Sequence, residues 1–166
     1  VETILGNTLR PFDANQANYH LELGLRRTIG RWEIAPFFHH ASRHYVDRPK
    51  EQAVDWNLLG VGVSGTLRPG GHPLWVAASL GHTTQASLPG YEWEATAAAE
   101  IALREKARAQ PYARVSGRLV TVRDASSATT ATLDRGDFLD RSGEAGLRLA
   151  RASHAVEFFV AAERRN

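Results

Sequence analysis

Cysteine and methionine are missing from this chain, and only Lys50 and Lys106 among its 20 basic residues are lysines. Without cysteine there is no disulfide scaffold, no thiolate zinc site and no cysteine nucleophile. Without methionine the sequence does not start at an initiator codon, which predicts a processed mature chain or a piece of a longer one. Charge of one sign is lacking too: 20 basic against 18 acidic residues leave a net +2, and the two signs are interleaved. Such a balance is no footprint for nucleic acid. No run approaches the roughly 18 uninterrupted apolar residues of a membrane-spanning helix. The first residues, Val1 to Asn7, show no basic stretch leading into an apolar one, so any export signal is expected to have been removed. These absences exclude a helical membrane protein. They leave a membrane β-barrel open, because its signal is alternation.

What the chain has is period-two alternation. With 166 residues, 43% hydrophobic and 23% charged, it is long and apolar enough for one domain. Tyr19, Leu21, Leu23 and Leu25 alternate with His20, Glu22, Gly24 and Arg26. Trp32, Ile34, Pro36 and Phe38 share a face against Glu33, Ala35, Phe37 and His39. Leu59, Val61, Val63 and Leu67 oppose Gly60, Gly62, Ser64 and Thr66, and Leu74, Val76, Ala78 and Leu80 oppose Trp75, Ala77, Ser79 and Gly81. From Tyr91 to Arg104, Trp93, Ala95, Ala97, Ala99 and Ile101 face away from Glu92, Glu94, Glu100 and Arg104. Three more segments follow, with Ala113–Leu119, Ala145–Leu149 and Val156–Ala162 as their apolar sets. Alanine favours a helix over 95–102, yet a helix would scatter these glutamates while a strand sorts them. Eight strands are therefore expected, with a short ninth near Val1–Thr8.

Links near 27–31, 68–73, 106–110 and 151–153 are short, and those near 44–53, 84–90 and 123–137 are expected to be longer. That is the signature of an all-β, antiparallel up-and-down meander, trimmed at one end and elaborated at the other. Closure into a barrel would remove its edges. Three features favour a transmembrane barrel over a soluble one. The polar face carries both charges at matching heights: Glu22, Arg26, Glu33, Glu92, Glu94, Glu100, Arg104, Arg114, Arg118, Glu144, Arg148 and Glu157 are the expected lumen charges. The apolar face is too rich in alanine and glycine to fill a barrel interior. Trp32, Trp56, Tyr91, Trp93 and Phe138 lie toward strand ends, where interfacial girdles sit.

On these residues, over about 17–165, the chain resembles the transmembrane β-barrels of Gram-negative outer membranes. The resemblance implies outer-membrane lipid as partner and a structural, loop-binding or porin-like role; no cofactor or metal is expected. It departs from the family in its final residues, Glu163-Arg164-Arg165-Asn166, where an aromatic terminus is usual. Strand parity predicts a single domain over 1–166 that is incomplete at one or both ends, part of a barrel of ten or more strands.

Chemistry is concentrated in Phe37–Tyr45. His39, His40 and His44 invite a metal, but strand spacing puts His40 and His44 on one face and His39 on the other. His40-Ala41-Ser42 places a base and a hydroxyl on one face, with Asp55 or Asn57 across the hairpin as orienting group. This resembles the His-x-Ser arrangement of outer-membrane phospholipases and lipid A deacylases, although Arg43 stands where those enzymes carry asparagine. A lipid ester hydrolase using His40, Ser42 and Asp55 is the alternative function, and a soluble lipocalin-like ligand binder is a third. Gly60, Gly62, Ser79 and Gly81 mark a wall of little side-chain volume, suited to a small cavity or to long side chains crossing the lumen.

Overall fold

A computed structural model describes residues 2–5, 14–45, 54–87, 89–104, 107–125, 136–151 and 154–165. They form one antiparallel sheet of β1 (Glu2–Leu5), β2 (Ala14–Gly24), β3 (Arg27–Ile29), β4 (Trp32–Tyr45), β5 (Val54–Leu67), β6 (Leu74–Ala86), β7 (Pro89–Ala102), β8 (Ala109–Ala125), β9 (Gly136–Arg151) and β10 (His154–Arg164). β2 and β3 both pair with β4, and every other strand pairs with its neighbour in sequence, so the sheet is an up-and-down meander; a 3-10 turn at Pro69–Gly71 is its one helical element among the described residues. The sheet is not closed: β1 and β10 are its two edges.

β2 and β3 are one strand in all but hydrogen bonding. Gly24 opposes Phe37 and Arg27 opposes Ile34, so no residue is gained or lost between them. The ladder is interrupted because Leu25 lies opposite Pro36, which has no N–H to return; Leu25 N still donates to the Pro36 carbonyl at 3.1 Å. The strand thus continues through residues expected to be a link, and turns only at Gly30–Arg31, where Gly30 takes the positive φ (63°) that two-residue hairpins need. The link expected over 84–90 also shrinks, since β6 runs to Ala86 and β7 begins at Pro89. The links 46–53 and 126–135 lie outside the described residues.

Cross-strand register sorts the side chains as the alternation predicts. Ile34, Val63, Ala78, Ala97, Gly117 and Arg141 lie in one row of the apolar face. Ala35, Gly62, Ser79, Thr96, Arg118 and Asp140 form the adjoining row of the other. On the central strands the charged face is the more enclosed one. There Leu59 and Val115 are 56% and 58% exposed, whereas the side chains of Glu100 and Glu144 are each 18% exposed. The few buried apolar residues, Ala41, Leu58, Tyr112 and Val122, all share the charged face, by their pairing with His20, Gly81's neighbour Thr83, Gly146 and the inward end of β7.

The expected aromatic girdle is corrected. Trp32 and Trp93 do sit on the apolar face, in the rows of Gly65 and Thr121. Trp56 opposes Ala41, and Phe138 opposes Val120, so both lie on the charged face. A bulge between Gly90 and Trp93 brings Tyr91 opposite Val122 and turns it the same way, edge-on to Trp56 at 5.4 Å.

Two glycines of the low-volume wall are required by packing. A Cβ on Gly60 would stand 2.5 Å from Phe37 Cζ, 2.6 Å from the Leu80 carbonyl oxygen and 2.8 Å from Gly81 Cα; on Gly81 it would meet Leu58 at 2.7 Å. The tip of the Phe37 ring and the Leu58 side chain thus occupy the space over these glycines. Gly62 differs, its Cβ meeting nothing nearer than 3.7 Å. Gly60→Ala is expected to destabilise the sheet by about 1–3 kcal/mol. Gly62→Ala is expected to stay within about 0.5 kcal/mol. Urea titration of both variants checks the contrast.

Candidate functional site

On the charged face, short links fix the register and so bring the predicted charges together. Around the β7–β8 link Glu100 opposes Arg114, and around the β9–β10 link Arg148 opposes Glu157. Arg114 donates to Glu100 Oε2 through Nη2 at 2.6 Å and Nε at 2.9 Å. Arg148 bridges two carboxylates, reaching Glu157 Oε1 at 2.6 Å and Glu100 Oε1 at 3.0 Å. Glu144 stands 3.6 Å from Arg114 and accepts the Tyr112 hydroxyl at 2.6 Å; that hydroxyl also lies 3.3 Å from Glu157. Both guanidinium groups lie over the Tyr112 ring, at 5.0 and 5.7 Å. Three carboxylates, two guanidinium groups and one phenol therefore form a single network over β7–β10. Tyr112 was missed in the sequence; its parity with Arg114 was the available signal.

The remaining predicted charges distribute along the same face. Arg118 pairs with Glu94 at 2.7 Å rather than with Glu100, and Arg123, not foreseen, holds Glu92 at 2.6 Å. Arg26 and Glu33 approach to 3.5 Å. Arg104 lies beyond the end of β7. Glu22 opposes His39 and makes no ion pair among the described residues.

Glu22 and Glu94, from β2 and β7, line one cavity of about 470 Å³ with Phe37, His39, Leu58 and Gly62. A cavity shared by strands so far apart shows that the sheet curls toward its charged face. Beside it, His20 Nδ1 and His39 Nε2 are 3.2 Å apart, their rings head to head with centroids at 5.5 Å.

The His-x-Ser segment lies on the apolar face, at the end bearing the link 46–53. His40 opposes Asn57 and Ser42 opposes Asp55. His40 Nδ1 is 2.7 Å from Asn57 Oδ1, and Asn57 Nδ2 donates to Gln85 Oε1 at 3.1 Å. Asn57 rather than Asp55 therefore contacts the imidazole, while the Asp55 backbone N–H is held by Ser87 Oγ at 2.8 Å. Because Asn57 presents its oxygen, His40 donates from Nδ1 and keeps Nε2 as the basic nitrogen. His39 and His40 point to opposite faces, the His44 side chain lies outside the described residues, and no three His, Asp or Glu side chains converge on a metal position among the described residues.

No protein-family model matches the chain, and neither curated proteins nor solved structures yield a match.

Proposed function

We propose that this chain forms the wall of an outer-membrane β-barrel, its apolar face against lipid and its charged face toward a lumen filled by ion pairs, with a structural, loop-binding or pore role. The observation that carries this reading is the inverted burial on the central strands: side chains such as Leu59 and Val115 stand open while Glu100 and Glu144 are enclosed. In water, an exposed apolar face running the length of a sheet is an aggregation surface; in lipid it is the expected wall. Leu59–Leu67 lies within β5 and meets the lower end of the roughly 9–11 residues that a tilted strand needs to cross a bilayer. Arg141 and Arg164 oppose each other on the outward face, bounding the apolar runs Ala145–Leu149 and Val156–Ala162. Barrel closure through the β1 and β10 edges belongs to the same proposal. The chain is expected to be monodisperse only with detergent or lipid, measured by light scattering. A monodisperse protein in plain buffer would overturn the membrane reading and favour a soluble ligand-binding barrel.

The second reading, a lipid ester hydrolase, is favoured by the His40–Asn57 contact. An amide that fixes the imidazole tautomer is what a serine nucleophile two residues along the same face requires, and Asn57 takes the orienting place assigned to Asp55. Release of fatty acid from phospholipid or lipid A vesicles is expected to vanish in Ser42→Ala if this reading holds. Equal release by wild type and variant leaves the structural reading alone.

A further inference from the structure

The cavity between β2 and β7 has features that the barrel wall does not need. At about 470 Å³ it falls in the size range of small-molecule sites. Packing accounts for Gly60 and Gly81, which Phe37 and Leu58 cover, but not for Gly62, which has room for a side chain and leaves the floor open. The charges on the wall are also unevenly satisfied: Glu94 is committed to Arg118, and Arg26 faces Glu33, but Glu22 has no cationic partner among the described residues. An aromatic ring, an aliphatic side chain and an unneutralised carboxylate thus surround one space.

We propose that this cavity binds a small organic ammonium ion, its charge set against Glu22 and its apolar body against Phe37 and Leu58. A carboxylate supplies the Coulombic attraction, and an aromatic face adds to it without being hydrated as strongly as a second carboxylate. A carboxylate ligand would instead meet Glu22, of its own sign, and the one guanidinium on the wall, Arg26, already faces Glu33. The inference rests on the curled charged face and not on the membrane reading. Because the cavity lies on the face opposite the apolar one, a water-borne solute, rather than a lipid headgroup, is the source of the ammonium.

The test is calorimetric titration of the full chain in nonionic detergent with 2-phenylethylammonium, 2-phenylethanol and 3-phenylpropanoate. Only the ammonium is expected to bind measurably. Glu22→Gln is expected to weaken it by about fivefold, Gly62→Leu to abolish it, and Gly62→Ala to leave it unchanged. Micelle partitioning is common to all variants and cancels in the comparison, and far-UV circular dichroism verifies the sheet in each. Added phosphatidylethanolamine is expected to leave the isotherm unmoved; competition by it would overturn the assignment to a water-borne solute. Equal binding of the three probes, or wild-type binding by a folded Glu22→Gln, would overturn the site itself. Either failure leaves the detergent requirement, and with it the membrane reading, untouched.

Discussion

Val63→Arg is expected to destabilise the chain in phospholipid vesicles by about 2–4 kcal/mol, the cost of a cation at the lipid face of a barrel near the bilayer midplane. Val63 is suited to the experiment because it is central to the outward run Leu59–Leu67 and lies between Ile34 and Ala78, both apolar and on the same face. The next residue supplies the control. Ser64 lies on the charged face between Glu33 and Ala77, so arginine there gains an acidic neighbour in a wet environment, and Ser64→Arg is expected to cost little. If the sheet instead carries its apolar face into water, Val63→Arg falls among surface substitutions and changes stability by no more than about 0.5 kcal/mol. Urea titration of both variants in vesicles separates the two cases. A small effect at Val63, or equal effects at Val63 and Ser64, would sink the membrane reading.

The same two faces show how far the sequence can be read. Alternation identified the strands because one face is mostly apolar and the other mostly polar or small, and nothing but a strand sorts residues that way. It lost the strand ends, where both faces become polar: Asn57, Gln85 and the segment Gly136–Asp140 carry no period, yet they are paired. Trp56 and Phe138 were assignable, since continuing the parity of Leu58 and Glu144 places both on the charged face. Tyr91 was not, because the bulge beside it shifts parity by one residue and leaves no trace in composition. The ion pairs divide in the same way. Glu100–Arg114, Arg148–Glu157 and Arg26–Glu33 flank short hairpins, whose length fixes the register. His40–Asn57 flanks the longer link 46–53, whose length leaves the register free, so the partner of His40 stayed open between Asp55 and Asn57. The cavity was foreshadowed by the glycine wall, but which glycines are covered depends on where Phe37 and Leu58 fold, and that is a property of packing.

Removing a guanidinium from the charged network is expected to cost more than removing a carboxylate. The network holds Glu100, Glu144 and Glu157 against Arg114 and Arg148, with the Tyr112 hydroxyl as an extra donor. Glu100→Leu leaves two balanced pairs, Arg114 with Glu144 and Arg148 with Glu157, and is expected to cost about 1 kcal/mol for the lost hydrogen bonds. Arg148→Leu leaves three carboxylates facing one guanidinium, with Glu157 deprived of its 2.6 Å donor. Stranding a charge in a partly enclosed site costs more than the pair contributed, and about 2–4 kcal/mol is expected here, toward the lower end because Arg148 is 23% exposed. Adding Glu100→Leu to Arg148→Leu restores the original net charge of the network and removes Glu100 Oε1, the second acceptor that Arg148 had served. The double variant is therefore expected to be more stable than Arg148→Leu alone, a coupling of opposite sign to simple additivity. Urea titration of the two single variants and the double one completes the cycle. Additive losses would mean that these side chains are solvated individually and do not act as one network.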